Sequence, residues 1–325
     1  MDILFLILQV IAVPALSPLC IGVIRRIKAR LQGRQGADVL QPYRNLRKLF
    51  MKDEVISADA SWITRFAPYL IFSITLLIGA TVPLVTAIVP TVPGYPDWSL
   101  TVTGDFLVIV YLFALMTFFL ALAGMDAGGG FGGFGSSREM MVSALAEGGL
   151  IFSILPVTFL AGTGNLSEAV AQLSGIPYDA AFPLFVAFLA FAIALLAENA
   201  RFPVDNPATH LELTMIHEAM LLEYSGKRLA LMEWASANKL LIFVALGANL
   251  FFPWGVALEY VSVTDLFVPL AVFGLKALAL LVSIALLESL MAKLRIFRVP
   301  DLLFSSFVIG VLAVVLTVSL TAQNS

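Results

Sequence analysis

The sequence predicts an all-α polytopic membrane protein with about eight transmembrane helices, both termini outside, and an amphipathic surface helix after the first span. Three observations predict it. The chain is 60% hydrophobic and only 13% charged, with a mean hydropathy of +0.97, which takes it out of the soluble globular class. Eight apolar stretches come close to the roughly 20 residues needed to cross about 30 Å of hydrocarbon. The basic residues, threaded through those stretches, fall on one side.

The stretches are 3–24, 66–90, 105–124, 140–162, 181–198, 239–258, 266–290 and 302–321. The fourth carries Glu147, and the sixth carries Asn249 and Pro253. The first is read as a retained span, because its basic residues follow it rather than precede it. Of the 19 Lys and Arg, nine lie between Arg25 and Lys52, and only Lys276 is read as lying inside a span. The opposite loops, 91–104, 163–180 and 259–265, contain neither residue. The positive-inside rule then makes the basic loops cytoplasmic. A single membrane domain is expected, with cytoplasmic loops at about 25–65, 125–139, 199–238 and 291–301. Cys20 stands alone, so cysteines can supply neither a disulfide framework nor an iron–sulfur ligand set.

In the first cytoplasmic loop Val39, Leu40, Tyr43, Leu46, Leu49 and Phe50 recur at helical spacing against Arg44, Arg47 and Lys48. An amphipathic helix at the membrane surface follows, serving as a lipid-facing anchor or as a docking face. The second loop has seven glycines in the twelve residues GMDAGGGFGGFG. It lacks the Gly-Lys-Ser/Thr ending of a phosphate loop, so a close-packed turn is expected, with Ser136 and Glu139 as a capping box opening the fourth span.

The third loop concentrates the chemistry. Between Glu198 and Gly226 lie five carboxylates (Glu198, Asp205, Glu212, Glu218, Glu223) and both histidines, His210 and His217. Asn206 with Pro207 can open a helix that Gly226 closes. On it Glu212 and Glu223 share one face, and His210 and His217 another. The HExxH spacing of a zinc helix is absent, so no metal site is expected. Titratable groups at one depth of a membrane protein point to proton handling or partner docking. With Glu147, the carboxylates Glu198, Asp205, Glu212 and Glu223 form a candidate chain into the membrane, since desolvation and neighbouring charge lift carboxyl pKa values toward neutrality. The competing role is salt bridging to Arg138, Arg201, Lys227 and Arg228. His210 and His217, which titrate near neutrality when unperturbed, are candidates for modulating proton uptake.

Several stretches together carry a family resemblance. RRIKARLQGRQGADVLQPYRNLRKLFMKDEV, ENARFPVD and LEYSG resemble the two signatures of the quinone-channel membrane subunit of respiratory NADH:quinone oxidoreductase. LQPYRNLRKL, YLFALMTFFLALAGMDAG, FGGFGSSRE, LEYSGKRLALMEWA and FFPWG resemble more specifically the homologous membrane subunit of group 4 nickel–iron hydrogenases and formate hydrogenlyase, of the hydrogenase-4 component C or formate hydrogenlyase subunit 4 type. The resemblance covers essentially the whole chain.

It implies an anchor in the cell inner membrane beneath a soluble cytoplasmic arm with a hydrogenase-type large subunit and an iron–sulfur small subunit. Antiporter-like membrane subunits would lie alongside in the bilayer. The nickel–iron centre and clusters would sit in those partners, with no cofactor in this chain and no nucleic acid bound. Arg34, Gln41, Pro42, Arg201, Glu218, Tyr224 and Gly226 fall in the matched loops as docking residues. The departures are PVDN and the long ATHLELTMIHEAML run, which argue against quinone reduction here. The alternatives are a quinone-channel subunit, an autonomous ion transporter active alone in liposomes, and a structural anchor with no proton path.

Overall fold

The computed structural model describes residues 2–57, 59–87, 91–92, 95–99, 104–175, 181–205, 215–258 and 267–324. Among them, eight helices are long and apolar enough to cross a membrane. They are α1 (Asp2–Leu31), α3 (Trp62–Thr81), α4 (Phe106–Asp126), α5 (Gly130–Ala161), α7 (Ala181–Glu198), α9 (Gly226–Leu250), α10 (Phe267–Leu290) and α11 (Val299–Asn324). Three shorter helices are α2 (Gln41–Phe50), α6 (Leu166–Leu173) and α8 (His217–Leu221), and a 3-10 turn over Ile296–Arg298 leads into α11. Strands β1 (Thr91–Val92) and β2 (Tyr95–Ser99) pair antiparallel between α3 and α4.

Helix α9 is the hub. Every residue from 237 to 250 is buried, as expected of a helix apolar all round and enclosed by others. It packs against α1, α3 and α10, while α11 lies on α5 and α7. The rings of Phe113 and Phe243 meet at 4.7 Å, and those of Phe191 and Phe243 at 6.1 Å, tying α4, α7 and α9 together. Lipid gives apolar helices little reason to associate, so close packing and interhelical hydrogen bonds must do so. Ser17 Oγ donates to Asn238 Oδ1 at 2.6 Å, and Asn238 Nδ2 donates to Thr75 Oγ1 at 3.0 Å, linking α1, α9 and α3. At the far end of α9, Asn249 donates to the carbonyls of Pro83 and Leu84, and Lys276 donates to that of Phe252. Asn249 is therefore compatible with a span because its amide is satisfied inside the protein.

Helix α2 forms where the amphipathic pattern places it. It packs on α1 and α9: Pro42 is buried, the Tyr43 hydroxyl donates to the Ala15 carbonyl, and Phe50 meets Trp234 edge-on at 6.0 Å. Its apolar face thus covers protein.

Three expectations are corrected. The fourth span begins at Gly130, so most of the glycine run is helix, and Ser136 and Glu139 lie within it instead of capping it. Ser136 Oγ donates instead to the carbonyls of Ala121 and Gly132. The glycines still serve close approach: a Cβ on Gly132 would collide with the Gly124 carbonyl, and one on Gly135 would lie 2.8 Å from the Ala219 Cβ. Gly132→Ala is expected to cost on the order of 1–3 kcal/mol through overpacking, read as a lower unfolding midpoint of the purified protein.

Second, Gly226 opens α9 rather than ending a helix. Its φ is +54°, and a Cβ there would crowd the carbonyls of Lys52 and Asp53. Of the helix expected over 206–226, the described part is α8 alone; Asn206, Pro207, His210 and Glu212 lie outside the described residues. Third, because α9 starts early, Lys239 joins Lys276 inside a span.

Candidate functional site

Two of the carboxylates, Glu147 and Glu198, meet where α5, α7 and α9 come together at the basic end of the bundle. Glu198, the last residue of α7, is 8% exposed. Its Oε2 accepts from Lys239 Nζ at 2.8 Å, with both side chains almost fully buried. The ammonium also lies 5.7 Å and 6.0 Å from the ring centres of Phe113 and Phe243, a cation–π setting that suits a charge removed from water. Glu147, four residues beyond Ser143 on α5, accepts from its hydroxyl at 3.2 Å and lies within electrostatic range of Glu198 and Lys239. Two members of the predicted chain are therefore neighbours.

The others are placed differently. Asp205 is 2% exposed. It accepts from Lys293 Nζ at 2.6 Å and from the backbone N–H groups of Ile216 and His217 at 3.2 and 3.3 Å, so it fastens the start of α8. Glu223 is exposed beside Gly129, at a separate small pocket with Glu54 and Arg228. Two of the arginines proposed as counter-ions serve other carboxylates: Arg201 pairs with Glu288 at 3.2 Å and Arg228 with Glu54 at 2.6 Å, while Arg138 donates to the Met215 carbonyl at 3.1 Å. Glu198 and Asp205 each pair with a lysine, Lys239 and Lys293.

His217 begins α8 and sets its Nδ1 3.9 Å from Glu139 Oε1. Burial pushes the imidazole pKa down, but the nearby carboxylate of Glu139, with the charge of Glu218 adding to it, outweighs burial and raises the value above the ordinary 6.5. The contact stabilises the fold while the ring is charged. Its contribution is therefore present in full below about pH 6.5 and is lost as pH rises through the raised value. The gap in unfolding midpoint between wild type and His217→Gln is expected to narrow steadily between pH 6 and 9.

A cavity of about 630 Å³ opens on this end, between α1, α2, the 199–205 turn, α8 and α9. Nine of its 23 lining residues are ionisable, whereas small-molecule pockets are mostly apolar. Among the described residues, no three His, Cys, Asp or Glu side chains converge as a metal requires.

Of the residues read as docking residues, Arg34, Pro42, Arg201 and Glu218 line this opening. Arg34 hydrogen-bonds Gln32, and Gln41 bonds Asn45 at 3.0 Å. Tyr224 is buried, its hydroxyl donating to the Thr64 carbonyl at 3.1 Å, beside Gly226.

Sequence reasoning gave no role at this site to Glu139, Ser236 or Lys239, and did not pair Glu288 with Lys28 and Arg201. A signal existed for the first, since Glu139, Ser143 and Glu147 recur every four residues and so share one helix face. Nothing local marked the others.

Comparison with known proteins agrees with this architecture. The family model described as NADH dehydrogenase matches residues 3–319. Formate hydrogenlyase subunit 4 of Escherichia coli (strain K12) is 32% identical over 97% of this chain and 98% of its own length. Hydrogenase-4 component C of the same organism is 31% identical, over 96% and 94%. NADH-ubiquinone oxidoreductase chain 1 of Chondrus crispus is 27% identical over 83% of this chain and 81% of its own length. A chain of the membrane-bound sulfane sulfur reductase, an archaeal respiratory membrane complex, shares the fold with a TM-score of 0.81 at 21% identity, covering 97% of this chain and 99% of that one. By the near-complete family match and the full-length relatives, this multi-pass membrane chain belongs to the NADH dehydrogenase family, whose members here are subunits of oxidoreductase complexes.

Proposed function

We propose that the chain is the membrane-anchoring, proton-coupling subunit of a hydrogenase or formate hydrogenlyase-type energy-converting oxidoreductase in the cell inner membrane. Its basic end faces the cytoplasm, as the positive-inside rule favours. There the first loop with α2, the start of α5 and the 199–226 segment form the seat of a soluble arm. That arm consists of a hydrogenase-type large subunit and an iron–sulfur small subunit, which carry the nickel–iron centre and the clusters. Antiporter-like subunits lie alongside the bundle. This chain contributes a route for protons, and no redox group of its own.

The observation that supports the reading most is the buried Lys239–Glu198 ion pair close behind the wall of an ionisable cavity, which Asn199 and Ser236 line, with Glu147 in range. A buried carboxylate beside a buried ammonium can trade a proton when a neighbouring charge changes, because interactions are strong where water is excluded. The test is Glu198→Gln in sealed membrane vesicles holding the assembled complex. Protons translocated per electron should fall at least tenfold while hydrogen-driven dye reduction by the soluble arm continues. An unchanged ratio removes the proton-path role.

A second reading, a quinone-channel subunit, draws support from the cavity's size, which lies within the range of small-molecule sites. Inhibition of turnover by quinone-site inhibitors would favour it.

A further inference from the structure

Between the large cavity and the Lys239–Glu198 ion pair lies a second, smaller void of about 20 Å³. That is room for about one water molecule. Asn199, His217, Leu221 and Ser236 line both spaces and so form the partition between them. Glu198 and Lys239 line only the inner one.

Two buried oxygens in this wall, Glu198 Oε1 and Asn199 Oδ1, have no hydrogen-bond partner among the described residues. The orientation of Asn199 is set by its Nδ2, which donates to the Leu195 carbonyl at 2.9 Å; its oxygen must therefore be served by something else. A buried acceptor left unserved is costly, and a water needs two or more polar partners to be held in such a space. Two orphaned acceptors beside a one-water void, with Ser236 and His217 among its lining residues, meet that requirement.

We propose that this void is an ordered-water site that passes protons between the large cavity and Glu198, and that His217, in the partition, loads it. The inference rests on the proton-path reading above and adds its inner step. One proton leaves the imidazolium nitrogen for the water, and the water gives one of its own protons to Glu198 Oε1. Lys239 stays an ammonium. The ring, now neutral, regains a proton from the cavity. The charged groups acting on the His217 ring are Glu139 on α5, Glu218 on its own helix and Lys239 on α9, while Asp205 accepts from the His217 backbone N–H. Glu139 and Glu218 hold the imidazolium in place between transfers.

The test uses sealed vesicles with the assembled complex, scored as protons per electron and normalised to assembled complex on native gels. Ser236→Leu, which fills the partition, should lower the ratio at least fivefold. His217→Gln should lower it similarly and flatten its dependence on pH between 6 and 8. Ser283→Leu, at an exposed position on α10, should not. If Glu198→Gln uncouples while Ser236→Leu and His217→Gln both keep the wild-type ratio, the path stands and this inference is overturned. If Glu198→Gln itself stays coupled, the reading beneath it falls. Should Ser236→Leu fail to assemble, His217→Gln decides alone, by its ratio and its pH profile.

Discussion

Glu288→Ala is expected to be among the most damaging single substitutions in this protein. The Glu288 side chain is 2% exposed and holds two cations at once: Lys28 Nζ at 3.1 Å and Arg201 Nη1 at 3.2 Å, themselves 18% and 11% exposed. The three residues come from the end of α10, the end of α1 and the turn after α7, so one carboxylate clamps three elements at the mouth of the large cavity. Lys28 also sits over the Phe202 ring at 4.5 Å. Removing one partner of a buried pair leaves uncompensated charge, which costs on the order of 3–5 kcal/mol. Here two like charges would remain, facing each other with no anion between them. The purified protein should lose that much stability, seen as a large drop in unfolding midpoint and poor recovery from detergent. Glu288→Gln keeps the shape and the acceptor oxygen and should fall between. If Glu288→Ala unfolds at the wild-type temperature, the clamp carries no load.

The fate of this cluster in the sequence reading illustrates what hydropathy and charge can convey. The spans were legible because the bilayer imposes a local, additive signal: the stretch 181–198 coincides with α7, and α2 appears where its apolar residues recur. The helix starts at Gly130 and Gly226 were not legible. Glycine and polar residues argue against a membrane helix only when lipid surrounds them, and here α4, α8 and the first loop do so. Partners were hidden for the same reason. Glu198 and Lys239 are 41 residues apart, and no periodicity links them. Lys239 reads as the basic flank of a span that begins there, and only the earlier start of α9 carries it inward. The alternation of Glu139, Ser143 and Glu147 was visible, but its reading as a cap displaced its reading as a polar face. Glu212 and His210 stay outside the described residues.

Lys239→Met should destabilise and uncouple together, and the pairing with Glu198 makes the two effects separable. Methionine roughly conserves the volume of the stem but removes the only cation within hydrogen-bond distance of Glu198 among the described residues. Glu198 is then a carboxylate at 8% exposure with no counter-ion. A buried carboxylate stripped of its cation is left uncompensated, which is costly in a poorly solvated site. Without the lysine beside it the site loses the partner a proton exchange would need, so proton translocation should drop at least tenfold. The unfolding midpoint should fall by an amount equivalent to about 3–5 kcal/mol. Adding Glu198→Gln neutralises the orphan, so the double variant should regain most of the stability while remaining uncoupled. A pair that is merely additive, with the double variant as unstable as the two single losses summed, would show that the 2.8 Å contact contributes no coupling energy. Recovery of stability without recovery of pumping would instead separate the structural role of the lysine from its service to a carboxylate that must change charge.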